Sequence, residues 1–346
     1  FEAHIATPNY EIYGYYLAGT PFPLLGHNRD YAYGLTMFEN DDIDLFQEEN
    51  NPENPNQYKY KNEFLDYKIR KKTIKVKDSS DIVLNIKESI HGPIMNDVMN
   101  TISSKKPIAM SWIYTQEKNQ ILDAVYHLSH SKNVDDFRKS IELIHAPGLN
   151  IMYGDAKNNI SWTASGKLYK LDKSINPNFI LNGSNGIDDQ KEFLPFDKNP
   201  SALNPSWNYL YSANNQTEAI DGYLYPGYYL PKDRAERIDK LLAPKNNWTK
   251  ADVEKMIVDN TSSRSSFVVS TILPHISLKN KSKNTQIAFS ILSNWNGSNN
   301  ENDIAPTIYN KFIYHYLKNT FEDELGEKNF EALLATHIVK QIIEPQ

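Results

Sequence analysis

The chain contains no cysteine. That excludes disulfides, thiolate metal sites and a cysteine nucleophile within it. It has no run of roughly 18 or more apolar residues, the length a membrane-spanning helix needs, and no signal peptide is visible. It also lacks a basic stripe. The net charge is −6, and the most basic stretch, Lys68 to Lys77, alternates with Ile69, Ile74 and Val76. That pattern reads as a strand with one solvated face, so nucleic acid is not an expected partner. No G-x-S-x-G, H-E-x-x-H, G-x-G-x-x-G or phosphate loop occurs, which removes the common hydrolase, zinc-protease and nucleotide signatures.

What is present is ordinary for a soluble globular protein. There are 346 residues, 40% hydrophobic and 23% charged, enough for a large core in one or two domains. The chain opens at Phe1-Glu2-Ala3-His4 in strand-like alternation. It stops at Gln346 just after Ile338, Val339, Ile342 and Ile343, which read as a helix still packing. Natural termini are usually polar and frayed, so both ends read as cuts in a longer subunit.

Along the chain, strands come first. Ile12, Tyr13, Tyr15 and Tyr16 lead to a turn at Gly19-Thr20-Pro21, and Asn28-Arg29-Asp30 makes a polar turn before Tyr31, Tyr33 and Leu35. Further strands are expected at Tyr58–Tyr60, Ile69–Val76, Ile82–Ile86 and Ile90–Met95. The first clear helix follows Asn133, an N-cap with Asp136 three residues on, and carries Val134, Phe137, Ile141 and Ile144 at helical spacing. Strands return at Asn150–Tyr153 and Ile160–Ala164. From residue 231 the character changes. Pro231 and Asp233 open a helix, Thr249 with Asp252 caps another, and helical stretches follow around Ile287–Leu292, Ile308–Leu317 and Phe330–Val339. Residues 1–230 are thus a β-rich portion with an inserted helix and 231–346 a mainly helical one. That order predicts an α+β fold.

Three constellations bear on chemistry. Asp41-Asp42-Ile43-Asp44 crowds carboxylates that repel unless a cation neutralises them; such oxygen-rich sites suit calcium, but taken alone the stretch reads as a solvated acidic loop. Tyr209-Leu210-Tyr211-Ser212-Ala213-Asn214-Asn215 is an alternating strand running into a double Asn. A carboxamide there offers uncharged donors to an oxyanion, though Asn-Asn commonly just ends a strand. Asp233-Arg234-Ala235-Glu236-Arg237-Ile238 puts arginines at a helix start, against the helix dipole, so they need another partner. His127 and His130 precede the Asn133 cap and read as structural.

In this order, the stretches Pro21-Phe22-Pro23-Leu24-Leu25-Gly26-His27-Asn28, Tyr33-Gly34-Leu35-Thr36, Asp41-Asp42-Ile43-Asp44-Leu45-Phe46, His91-Gly92-Pro93-Ile94, Tyr153-Gly154-Asp155, Asn204-Pro205, Ala213-Asn214-Asn215 and Arg234-Ala235-Glu236-Arg237-Ile238 resemble the large subunit of the penicillin acylase family of N-terminal-nucleophile hydrolases. Each is short; their collinearity over most of the chain carries the resemblance.

The resemblance implies an incomplete αββα sandwich and hydrolysis of a linear amide by a Ser that autoproteolysis exposes a short way before Phe1. Its free α-amine would serve as base. The family's oxyanion hole maps onto the backbone N–H of Met37 and the side chain of Asn214, and Arg234 matches an arginine that organises Asn214. The family's calcium site maps onto the carboxylates of Asp41 and Asp44 and the carbonyls of Ile43 and Pro177. A later acidic ligand is missing: Tyr223 and Leu224 stand near that position, with Asp221 the nearest carboxylate. Met37, Leu149 and Val125 match the acyl pocket, all apolar. The expected partners are the small α subunit of the same precursor and a small acyl amide, in the periplasm or outside the cell. A secreted glycan-binding protein, stacking sugars on its 22 Tyr and 5 Trp, is the alternative; a carboxylate-pair glycosidase is weaker.

Overall fold

The computed structural model describes residues 1–346 other than 100, 101, 119, 190, 220, 337, 338, 340, 341 and 343–346. Ile338 and Ile343, read from sequence as part of a last helix, therefore lie outside the described residues. The chain forms two compact units, one of Phe1–Asn204 with Thr217–Tyr229, the other of Pro205–Gln216 with Leu230–Gln346.

The first unit is organised by a seven-stranded antiparallel sheet. Its spatial order is Glu2–Thr7, Tyr10–Tyr15, Leu25–His27, Tyr31–Met37, Leu149–Asp155, Ile160–Ala164 and Ser201–Leu203. The first four strands form a meander, and its last turn is set by Asn28, whose Oδ1 accepts the N–H groups of Asp30 and Tyr31, both at 2.9 Å. The chain then leaves the sheet and returns at Leu149–Asp155, which pairs with Tyr31–Met37 so that Leu149 lies opposite Met37 and Tyr153 opposite Tyr33.

Period-two alternation explains the sheet's inner face. Tyr31 and Tyr33 are buried while Ala32 between them is exposed. They pack with Ile12, Leu149, Ile151 and Tyr153 against Leu128, Phe137 and Ile141 of the helices Ile121–Ser129 and Val134–Ile141. Phe137 is fully buried, its ring 4.8 Å from Tyr153, 5.5 Å from Tyr33 and 6.0 Å from Tyr31. Phe137→Ala would leave a void that three rigid tyrosines on a paired sheet cannot fill. We expect a loss of about 3–5 kcal/mol, read from the midpoint of chemical unfolding.

A smaller sheet holds Ile43–Gln47 between Ile108–Trp112, antiparallel, and Leu181–Asn182, parallel. A two-stranded ribbon pairs Tyr169–Leu171 with Lys191–Phe193.

The second unit is helical: Asp233–Leu242, Lys250–Ile257, Ser263–Ile272, Lys283–Ser293, Ala305–Leu325 and Glu327–Leu334. Its core gathers Val268, Val269, Leu273, Leu292, Tyr309, Ile313, Leu317 and Phe330. Thr249 and Asp252 make a reciprocal capping box, and Asn133 caps its helix in the first unit through the Asp136 N–H at 2.9 Å. No described helix is long and apolar enough to cross a membrane.

The α+β class holds, and three local expectations change. Ile90–Met95 is not a strand but two isolated bridges, Glu88 with Pro93 and Ile94 with Ala109, because Gly92 bends the backbone at φ +138°. Tyr209–Tyr211 pairs with no strand; the adjacent order comes from an isolated bridge between Asn215 and Leu230. A helix at Ile121–Ser129, carrying His127, precedes the one expected first.

Candidate functional site

Met37 ends its strand and is 44% exposed. The backbone around it is held on several sides. Its carbonyl accepts the Asn150 amide at 3.0 Å, and Asn150 in turn accepts the Trp162 indole N–H at 2.9 Å. Phe38 N–H donates to Gly148 O at 3.0 Å, and Leu149 N–H to Ser165 Oγ at 3.0 Å. Gly148 is required there, since a Cβ would lie 1.7 Å from Asn40 Oδ1. Asn150, Trp162 and Ser165 are the supporting residues that sequence reasoning missed. A polar residue flanked by buried Leu149 and Ile151 was the one available signal. Of the pocket candidates, Leu149 packs in the tyrosine-lined core at 8% exposure and Val125 is 2% exposed on Ile121–Ser129.

The second unit shows why arginine stands at a helix start. In the first turn of Asp233–Leu242, Arg234 Nη2 donates to Ala213 O at 2.5 Å and to Asn214 Oδ1 at 2.8 Å. Asn214 sits at φ +59°, a conformation Asn tolerates better than most residues. Its carbonyl accepts the Leu230 N–H at 2.8 Å. Because the guanidinium claims the amide oxygen, the carboxamide cannot flip without losing a charge-assisted bond. Its NH₂ group is thereby turned away from Arg234. The neighbouring residues brace the same turn: Arg237 forks onto Asp259 at 2.8 and 2.5 Å, and Glu236 accepts Arg264.

The acidic segment is buried, with Asp41 at 7% and Asp44 at 2% exposure. Burial first, then the charge of Asp44, pushes the Asp41 carboxyl up to about 7. Burial also raises Asp42. Asp44 is already paired: Oδ2 accepts Lys191 Nζ at 2.6 Å and Tyr169 OH at 3.0 Å. Asp41 accepts the backbone N–H of Ile43. Pro177 lies half-buried in a turn where Phe179 N–H donates to Asn176 O, and Asp221 pairs with Lys198 at 3.1 Å on the surface. Calcium takes six to eight oxygens; here an ammonium meets one oxygen of Asp44, while its other oxygen and Asp41 Oδ1 are buried and accept no hydrogen bond. Among the described residues no group of three or more His, Asp or Glu is arranged to hold a metal. Toward the calcium ion that the family resemblance led us to expect, these residues supply two buried carboxylates, one of them already paired with an ammonium.

A second buried charge cluster has no counterpart in the sequence-level expectations. His91 Nδ1 lies 2.8 Å from Glu48 Oε1, and Nε2 lies 2.9 Å from Asp189 Oδ1. Phe46 stacks on the imidazole at 4.1 Å. Tyr60 OH donates to the other Asp189 oxygen at 2.7 Å.

Comparison with known proteins places the chain. Residues 1–346 match the family model for penicillin amidase. The chain is 27% identical over 326 residues to a penicillin G acylase of Escherichia coli, covering 89% of this chain and 38% of that protein. It is 28% identical over 270 residues to the acyl-homoserine lactone acylase QuiP of Pseudomonas aeruginosa, covering 75% of this chain and 31% of that one. The chain thus spans about a third to two fifths of these curated relatives. The solved structure of a thermostable penicillin G acylase from Alcaligenes faecalis superposes with a TM-score of 0.78 at 18% identity, over 96% of this chain and 60% of that one.

Proposed function

Because this chain belongs to the penicillin amidase family, we propose that the protein containing it hydrolyses linear acyl amides through an acyl-enzyme. What carries the reading is the family match across all 346 residues, with acylases of two named kinds among the relatives over much of the same stretch. The nucleophile in this reading is a Ser upstream of Phe1, bared by autoproteolysis. Its hydroxyl adds to the amide carbonyl and its own α-amine takes the proton. The negative oxygen is held by the Met37 N–H and the Asn214 NH₂. Collapse expels the amine, which recovers the proton, and water then releases the acid.

Two local features support these roles. The Met37 peptide lies in a tightly bonded strand end, and the Asn214 carboxamide is orientated by Arg234. Preorganised donors of this kind need no rearrangement as charge develops. The proposal extends to a small α subunit cut from the same precursor and to a periplasmic or secreted location. The acyl group is aromatic or fatty and meets the exposed, apolar Met37 side chain; Leu149 and Val125, both buried, would back the pocket from the core.

The test is direct. Protein expressed from its complete gene is assayed for amine release on benzyl-penicillin-type amides and on N-acyl homoserine lactones of increasing chain length. Turnover of at least one series, abolished by replacing the upstream Ser, is the expected result. No hydrolysis of either, together with saturable oligosaccharide binding, would transfer the protein to the glycan-binding reading.

A further inference from the structure

We propose that Lys191 is the resident cation of the acidic segment, its ammonium doing the bridging work that the family resemblance would assign to calcium. Three directional contacts define its seat. Lys191 Nζ donates to Asp44 Oδ2 at 2.6 Å, lies 4.6 Å over the Tyr169 ring, and reaches Ser111 Oγ at 3.4 Å. Tyr169 OH donates to the same carboxylate oxygen at 3.0 Å. A carboxylate, a hydroxyl and an aromatic face together suit a monovalent ammonium.

Burial marks this as a built pair. The Asp44 side chain is fully buried and that of Lys191 is 13% exposed. Strand pairing supplies all the partners. Ser111 lies opposite Asp44 across the Ile43–Gln47 and Ile108–Trp112 strands. Lys191 and Tyr169 come from the two strands of the separate ribbon. The ion pair therefore joins the ribbon to the three-stranded sheet.

The same geometry opposes a divalent ion. Calcium on Asp44 would share that carboxylate with the ammonium, and like charges brought together in a buried setting repel. The second oxygens of Asp41 and Asp44 are buried and accept no hydrogen bond. They would be left facing an unbalanced charge if the ammonium were removed.

The experiment uses protein from the complete gene, dialysed first against calcium and then against metal-free buffer. Elemental analysis should find no stoichiometric calcium, and the melting temperature should be the same in EDTA and in millimolar calcium chloride. Stoichiometric calcium, or a fall in melting temperature on chelation, overturns the proposal. Lys191→Met keeps the side chain's length without its charge. It should melt several degrees lower and recover in part with calcium chloride but not with sodium chloride of equal ionic strength. An unchanged melting temperature in that variant overturns the bridging role. Should Lys191→Met not fold, the two measurements on the unaltered protein decide alone.

Discussion

Asn214→Ala is expected to lower kcat by about 100- to 1000-fold, equivalent to about 2.7–4 kcal/mol of barrier, with little change in KM. The asymmetry follows from the proposed role. A donor that meets the oxygen only once it carries full negative charge contributes to the transition state and little to substrate binding. The structure adds a complication that the variant must control for. Asn214 occupies the left-handed region at φ +59°, where alanine costs about 1 kcal/mol or somewhat more. Asn214→Gly removes the same carboxamide without that backbone penalty. Both variants should lose turnover alike and both forfeit the Arg234 bond to the carboxamide, so the alanine variant should lose more stability than the glycine one. In both, Arg234 keeps its bond to the Ala213 carbonyl, so the helix start stays anchored. A glycine variant that turns over substrate at the unaltered rate would refute the oxyanion assignment.

How much of this was legible in the sequence depends on the range of each interaction. Asn133 and Thr249 were readable as caps because their partners lie three residues away. The tyrosine face of Tyr31–Met37 was readable because alternation is local. Ile121–Ser129 was missed although Ile121, Ala124, Val125 and Leu128 have helical spacing. Gln120 makes no side-chain cap there, so no start signal announced the helix. The Arg234 anomaly was visible, since a cation at a helix N-terminus is unfavourable, but its acceptors lie 20 and 21 residues upstream. The pairing of Lys191 with Asp44 spans 147 residues. Nothing in one sequence selects that lysine from the others, because a long-range ion pair has no period. The carboxylates alone therefore read as a solvated loop, calcium entered only through the family resemblance, and the lysine that meets Asp44 left no trace in the sequence.

A stability effect as large as that of Phe137→Ala, and dependent on pH, is expected at His91. Its environment is a contest. Burial pulls the imidazole down, but the hydrogen bonds to Asp189 and Glu48, reinforced by both charges, outweigh it and raise the group from 6.5 to about 9. Both ring nitrogens face carboxylate oxygens, so both donate and the ring is an imidazolium near neutrality. A folded value above the unfolded one means the contribution is complete below about 6.5 and is lost as pH rises through about 9. The gap corresponds to about 3 kcal/mol. Asp41, also raised, contributes in the same sense at lower pH, its share fading between the unfolded value of 3.8 and about 7. His91→Ala should cost about 3–5 kcal/mol at pH 6, because it strands the fully buried Glu48 carboxylate without its partner. It should also flatten the dependence of the unfolding midpoint on pH between 6.5 and 9, while leaving the Asp41 region below 6.5 as steep as before. His91→Gln fills the same space and can donate to one carboxylate, so it should fall between the two in stability yet be as flat as alanine in the alkaline range. Chemical unfolding of the three proteins at half-unit pH steps separates charge from shape. Equal alkaline slopes in all three would mean that the imidazole is neutral and that packing against Phe46, 4.1 Å away, is its whole contribution.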